Sequence, residues 1–147
     1  MIKEESDMTS EQTTLVQTSF AKVAPIADTA ATLFYDRLFE LNPSLRGLFD
    51  EDLREQRMKL MAMLTTAVNN LSQWDAVAPH VKQLGLRHVG YGVKPADYDT
   101  VGIALIDTLE KGLAEAFTPP VRDAWIACYT KIVAEMQAVK LAETVKG

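Results

Sequence analysis

The stretch LGLRHVGYGV, residues Leu84 to Val93, decides how the rest of this 147-residue chain is interpreted. It contains His88, one of only two histidines, at the end of a run with helical character and just before Gly90 and Gly92. A histidine near the carbonyl end of a helix can serve packing and the helix dipole alone. It can also direct one imidazole nitrogen at a metal ion. The remainder of the sequence must distinguish these two roles.

The composition is that of one globular domain with an acidic balance. A length of 147 residues fits a single domain over residues 1–147, and we expect its tails, 1–9 and 142–147, to fray. Hydrophobic residues make up 48% of the chain, so wholesale disorder is disfavoured. The formal net charge of −5 argues against a nucleic-acid binder, which normally carries a basic surface.

The cysteine count and the N-terminus indicate a cytoplasmic protein. The single cysteine, Cys128, excludes an intrachain disulfide and suits a reducing compartment. The N-terminal residues MIKEESDMTS lack the apolar segment of a secretory signal. No apolar run approaches the roughly 18 residues that a membrane span needs, so we expect no membrane partner.

Apolar residues recur at intervals of three and four along the chain, which predicts an all-α fold. Strand signals are nearly absent. Thr9 and Gln12 have the spacing of a helix-capping box, and Pro95 and Pro119 suit the first position of a helix. A third long helix is expected to begin near residues 50–52 and to continue to about residue 70. Periodicity alone does not distinguish a helix bundle from a crossed-helix sandwich.

Three ordered segments carry a more specific pattern. In LFYDRLFELNPSLRGLFD, Tyr35 lies fourteen residues and Pro43 six residues before Phe49. EQRMKLM follows and places Gln56 one helical turn before Leu60. LGLRHVGYGV comes next, and a tyrosine stands ten residues after its histidine, at position 98. This order resembles the globin family, and more narrowly the single-domain bacterial haemoglobins and the haem domains of flavohaemoglobins.

The resemblance implies a globin fold of about six to seven helices, arranged as a crossed-helix sandwich around haem b. It implies that His88 is the axial ligand of the iron, which leaves the opposite position open to dioxygen, nitric oxide or carbon monoxide. His80, the other histidine, precedes His88 by eight residues and is predicted to lie on the surface. A site with both histidines on the iron is therefore not expected.

Tyr35 and Gln56 correspond to the family's residues that face the bound gas. A phenol donates a hydrogen bond, and a carboxamide can donate or accept one. Donors directed at a partly anionic dioxygen predict tight binding and slow release. Outside the globin frame, Tyr35 is an ordinary buried tyrosine and Gln56 an ordinary solvated residue near a helix start.

The resemblance also implies a set of residues that contact the haem. Most are apolar and would exclude water from the iron, although each of them is equally suited to an ordinary core. Lys59 would reach a propionate at the haem edge, and it is also the candidate sixth ligand of the ferric iron. The predicted cofactor-binding residues are Phe49, Lys59, Leu60, Leu84, His88, Val93, Tyr98 and Val101.

The sequence departs from the flavohaemoglobin pattern in three places. Lys140 stands where the family has a glutamate that supports the proximal tyrosine, so a strongly activated histidine is in doubt. Only seven residues separate Phe49 from Gln56, so the corner between the second and third helices is compressed. The chain ends at Gly147, and we expect electrons for sustained turnover to come from an external reductase.

Three functions fit these residues. The first is an oxygen-binding globin for delivery, storage or detoxification, whose enzymatic form would convert oxygen and nitric oxide to nitrate. The second is a haem-based gas or redox sensor, which would need a signalling partner. The third is a haem-free helical interaction module.

Overall fold

The computed structural model is all-helical, as predicted. It describes residues 8–90 and 94–146, apart from the side chains of residues 88–90 and 138–146. Of the tails expected to fray, residues 1–7 and 147 lie outside the described residues, and the backbone of residues 142–146 is described as the end of a helix. No helix within these residues combines the length and apolarity that crossing a membrane requires. The six α-helices of this part of the chain are α1 Ser10–Val23, α2 Ala27–Leu41, α3 Arg54–Asn69, α4 Trp74–Gly90, α5 Pro95–Leu113 and α6 Pro119–Lys146.

Local signals set several helix starts as predicted. At α1, the Thr9 hydroxyl accepts a hydrogen bond from the Gln12 amide at 3.0 Å, and the Gln12 side chain accepts one from the Thr9 amide at 3.1 Å. This capping box satisfies amides that have no partner inside the helix. Pro95 and Pro119 occupy the first positions of α5 and α6, where a missing amide hydrogen costs nothing.

α3 begins at Arg54, slightly later than the start predicted near residues 50–52. The guanidinium of Arg46 donates hydrogen bonds to the backbone carbonyls of residues 50 and 51, each at 2.8 Å. The Asp52 carboxylate then accepts a hydrogen bond from the Arg54 amide at 3.0 Å. These side-chain contacts hold the compressed corner in a non-helical path until α3 starts.

The helices cross over a shared apolar core. α6 packs along α4 and α1, while α2 packs along α5 and α3. Trp125 of α6 is almost fully buried at the centre, and its indole N–H donates to the Ser19 hydroxyl of α1 at 2.9 Å. This hydrogen bond satisfies the only polar group of the indole ring. Burying that N–H group without a partner would lower the stability of the fold.

Gly85 permits the close approach of α4 and α6. A Cβ atom at this position would lie 2.8 Å from Cα of Met136 and closer still to its carbonyl oxygen. We expect Gly85→Ala to lower the free energy of unfolding by roughly 1–3 kcal/mol, because overlap with backbone outweighs the better helix propensity of alanine. Urea unfolding measures this. Gly47→Ala is the control, since nothing lies within 4 Å of its Cβ position, and an equal loss there would contradict the packing explanation.

The hydroxyl of Thr108 is buried and has no hydrogen-bond partner among the described residues. We expect Thr108→Val to raise the free energy of unfolding by about 1 kcal/mol, because an unsatisfied buried polar group is removed. Thr32→Val is the matched control, since the exposed Thr32 hydroxyl donates to the Asp28 carbonyl at 3.0 Å. Thermal or urea unfolding reports both changes, and destabilisation by Thr108→Val would count against this assignment.

Candidate functional site

A cavity of about 220 Å³ is lined by residues of α2, the corner, α3, α4, α5 and α6. The described part of its lining is largely apolar. Eight of the ten predicted site residues line this cavity: Tyr35, Phe49, Gln56, Lys59, Leu60, Leu84, Tyr98 and Val101. The side chains of the other two, His88 and Val93, lie outside the described residues.

Tyr35 and Gln56 are in direct contact at the cavity wall. Tyr35 is buried in the middle of α2, and Gln56 is half-buried in the first turn of α3. The Gln56 Nε2 atom donates a hydrogen bond to the Tyr35 hydroxyl oxygen at 3.2 Å. Because that oxygen acts as the acceptor, the phenol hydrogen is available to donate to another group.

The surroundings of Tyr35 keep its phenol protonated. Burial raises the pKa of the Tyr35 hydroxyl above its ordinary value of 10.0, and the Gln56 hydrogen bond and the Arg57 charge oppose that shift only in part. A phenol with a raised pKa is neutral at physiological pH. Tyr35 is therefore a hydrogen-bond donor at the cavity throughout the neutral range.

Phe49 forms the corner side of the cavity within an aromatic cluster. Its ring is half-buried and lies 5.6 Å from the Tyr35 ring and 5.7 Å from the Phe39 ring, both in T-shaped contacts. Edge-to-face pairs of this kind are favourable beyond the area they bury. The cluster fixes where the Tyr35 ring lies relative to the cavity.

The mouth of the cavity, where its lining is most exposed, carries charged side chains from three helices. Lys59 of α3 and Arg87 of α4 are exposed and line the opening, together with Asp97 of α5. Leu60, one turn after Gln56, is half-buried and continues the apolar wall inward. The site is thus apolar within and charged at its edge.

α4 supplies another part of the cavity wall. Leu84 lines the cavity from the second half of the helix. Residue 88 belongs to the last turn of α4, which ends at Gly90. Positions four apart share a helix face, so position 88 is on the same face of α4 as Leu84. His80 is exposed, as predicted.

α5 contributes Tyr98 and Val101 to the cavity lining, and both side chains are half-buried. The Tyr129 hydroxyl of α6 donates a hydrogen bond to the Tyr98 backbone carbonyl. A Cβ atom at Gly102 would lie 2.8 Å from the Tyr129 ring, so a glycine is needed for this contact. Tyr129 therefore anchors the first turns of α5 against α6.

The resemblance to flavohaemoglobins implies a glutamate of the last helix beside the proximal tyrosine. Glu135, the only glutamate of α6 whose side chain is described, does not line the cavity. Glu135 accepts a hydrogen bond from the Trp74 indole at 2.8 Å and pairs with Lys82 at 3.5 Å, away from the cavity lining. The side chain of Lys140 is outside the described residues. Cys128 is buried, which raises the pKa of its thiol to about 12, so a reactive thiolate is disfavoured at neutral pH.

Comparison with known proteins decides the family. Residues 32–136 match the Globin family model. The chain belongs to the globin family. The crossed helices of the described residues form the globin fold predicted from the sequence.

Relatives of this globin include both long and short proteins. The flavohemoprotein of Bacillus subtilis is 33% identical over 105 residues, which cover 69% of this chain and 26% of that protein. The neuroglobin of Tetraodon nigroviridis is 30% identical, with 71% of this chain and 74% of that protein covered. The flavohemoprotein of Vibrio cholerae is 25% identical, with 83% of this chain and 32% of that protein covered. This globin thus spans about a quarter to a third of the two flavohemoproteins.

Solved structures match nearly the whole chain. A bacterial globin from Campylobacter jejuni has a TM-score of 0.80 at 20% identity, covering 92% of this chain and 99% of that one. A second match is an engineered carbene transferase, made from a Rhodothermus marinus protein named for nitric oxide dioxygenase activity. It has a TM-score of 0.83 at 22% identity, covering 94% of this chain and 97% of that one. At these identities the similarity shows the fold alone.

Sequence reasoning missed several residues that line the cavity. Arg87 directly precedes the candidate axial histidine, and its positive charge could have marked it as a partner for an anionic group at the site. Tyr129 follows Trp125 by one helical turn on the inner face of α6, a spacing that marked both as core. The other unpredicted lining residues are Phe34, Leu38, Leu45, Leu48, Met63, Leu64, Asp97, Leu105, Ile132, Val133 and Met136.

Proposed function

We propose that this chain forms a single globin domain that holds haem b in the cavity and binds a diatomic gas beside Tyr35 and Gln56. His88 of α4 would be the axial ligand of the iron. The observation that carries this proposal is the hydrogen bond from Gln56 to Tyr35 at the cavity wall. It presents a neutral phenol donor at a cavity that Leu84, of the same helix as position 88, also lines.

The lining residues fit a haem group. Apolar side chains such as Leu60, Leu84 and Val101 suit the porphyrin faces, and Phe49 offers an aromatic ring for stacking. Lys59 and Arg87 at the mouth suit the two propionates, and arginine pairs well with carboxylates. When bound, haem supplies an iron atom with one open coordination position for a gas.

The chain's own residues then determine how long a gas stays. Tyr35 donates a hydrogen bond to a partly anionic ligand such as dioxygen, and Gln56 orients that donor by giving its own hydrogen to the phenol oxygen. A hydrogen bond to a charged group contributes about 1.5–3 kcal/mol. Carbon monoxide carries less charge and gains less. The pair therefore favours dioxygen and slows its release.

We further propose that the enzymatic form of this activity converts dioxygen and nitric oxide to nitrate, with electrons supplied by a reductase. Two relatives are flavohemoproteins that extend well beyond the matched region, and one matching structure derives from a protein named for nitric oxide dioxygenase activity. The single cysteine suits the reducing cytoplasm as the place of this function.

Titration of the purified chain with haemin tests the proposal. We expect a Soret band that saturates at one haem per chain, followed by distinct ferrous, oxygenated and carbon monoxide spectra after reduction. Rapid mixing of the oxygenated protein with nitric oxide should then give the ferric protein and nitrate. A chain that develops no Soret band in excess haemin would instead be a haem-free helical module.

A further inference from the structure

Arg46 organises the corner between α2 and α3. It belongs to the 3₁₀ turn Pro43–Leu48, and its side chain is half-buried. The Nη1 atom donates to the carbonyls of Phe49 at 3.3 Å and Asp50 at 2.8 Å, and the Nη2 atom donates to the carbonyl of Glu51 at 2.8 Å. One guanidinium thus holds three consecutive carbonyls of a segment that has no helix of its own.

The same guanidinium contacts the aromatic cluster next to the cavity. Its central carbon lies 5.4 Å from the centre of the Phe39 ring, within range of a cation–π contact. Phe39 is 5.7 Å from Phe49 and 6.0 Å from Tyr35, and Phe49 is 5.6 Å from Tyr35. Arg46 therefore fixes Phe49 through its backbone and Phe39 through its ring, and both rings contact Tyr35.

We propose that Arg46 is a positioning residue that sets the selectivity of this globin between dioxygen and carbon monoxide. It would act through the Phe39–Phe49 pair on the position of the Tyr35 hydroxyl. The inference rests on the proposed function, because Tyr35 must face the gas. Arg46 itself does not line the described cavity, so it is not a catalytic residue.

Arginine is needed at this position because of its geometry. A guanidinium has five donors in a fixed planar fork and can hold several carbonyls while its face packs on a ring. A lysine ammonium is a compact charge with freely rotating donors. Arg46→Lys should therefore keep the charge and part of the hydrogen bonding, but lose the simultaneous hold on the three carbonyls and Phe39.

Infrared spectroscopy of the carbon monoxide complex tests this proposal, because the C–O stretching frequency reports donation from a nearby hydroxyl. We expect Arg46→Met to shift the band toward its position in Tyr35→Phe and to raise the oxygen release rate at least about twofold, the lower end of coupling between contacting residues. Arg46→Lys should give an intermediate shift. In the Tyr35→Phe background, Arg46→Met should change neither quantity further.

Arg54→Met is the matched control. It removes an arginine from the adjoining α3 start, where the Arg54 side chain pairs with Asp52 at 2.7 Å and is 80% exposed. This variant should leave the band and the release rate at their parent values.

Three results overturn the proposal. If both Arg46 variants keep the parent C–O band and the parent oxygen release rate, this inference fails while the proposed function stands. The same holds if Arg46→Met has an equal effect with and without the Tyr35 hydroxyl. If Tyr35→Phe itself leaves the band unchanged, the proposed distal role of Tyr35 fails and this inference fails with it. If Arg46→Met does not fold, Arg46→Lys against Arg54→Met gives the same comparison.

Discussion

Replacing Tyr35 by phenylalanine should speed dioxygen release from the ferrous protein roughly ten- to a hundredfold. The variant keeps the ring, and with it the contacts to Phe49 and Phe39, but removes the hydroxyl that can donate to the gas. A hydrogen bond to a charged group contributes about 1.5–3 kcal/mol, and 1.4 kcal/mol corresponds to a tenfold change. Stopped-flow displacement of oxygen by carbon monoxide gives the rate.

A second tyrosine provides the control for this experiment. Tyr98 also lines the cavity but belongs to α5 and does not take part in the hydrogen bond between Gln56 and Tyr35. Tyr98→Phe should leave the oxygen release rate within about twofold of the parent, because the donor pair is intact. Equal effects of the two substitutions would show that loss of any cavity hydroxyl, rather than the Gln56-oriented donor, controls release.

Replacing His88 by glycine should abolish stable haem retention. In the proposed site, His88 would supply the bond from the protein to the iron. The remaining contacts would be apolar packing against the porphyrin and exposed ion pairs at the mouth, and exposed ion pairs are worth little. We expect haem transfer to an acceptor globin to accelerate on the order of a hundredfold or more, equivalent to about 2.7 kcal/mol. The loss of the Soret band as haem leaves measures the rate.

Added imidazole distinguishes a lost ligand from a damaged fold in this variant. If the glycine leaves space where the imidazole ring belongs, free imidazole should restore both retention and the parent spectrum. His80→Gly is the matched control, since His80 is exposed on the same helix, and it should retain haem like the parent. Retention by His88→Gly without imidazole would mean that another residue binds the iron.

Local signals in the sequence were sufficient for most of the fold. The capping box at Thr9 and the prolines at 95 and 119 act within one helical turn, so their effect needs no tertiary contact. α3 starts slightly later than predicted because the preceding corner is held by Arg46, whose guanidinium donates to carbonyls four and five residues away. Such a contact is specific to side-chain geometry and leaves no periodicity to detect.

The same distinction applies to the candidate site, where sequence spacing predicted residues but not their side-chain contacts. The family spacings predicted the cavity residues that share the pattern, such as Tyr35 and Leu84. They did not predict that Gln56 would donate to Tyr35, since either group could have been the donor. Tyr129 was also missed as a site residue, because its contact with the Tyr98 carbonyl joins segments 31 residues apart.

A crystal structure of the haemin-loaded protein tests the central claim most directly. We predict one haem in the cavity between Tyr35 and α4, with an imidazole nitrogen of His88 within bonding distance of the iron and the Tyr35 hydroxyl on the other face. An iron atom ligated by a different side chain, or a His88 ring packed away from any porphyrin, would contradict the account.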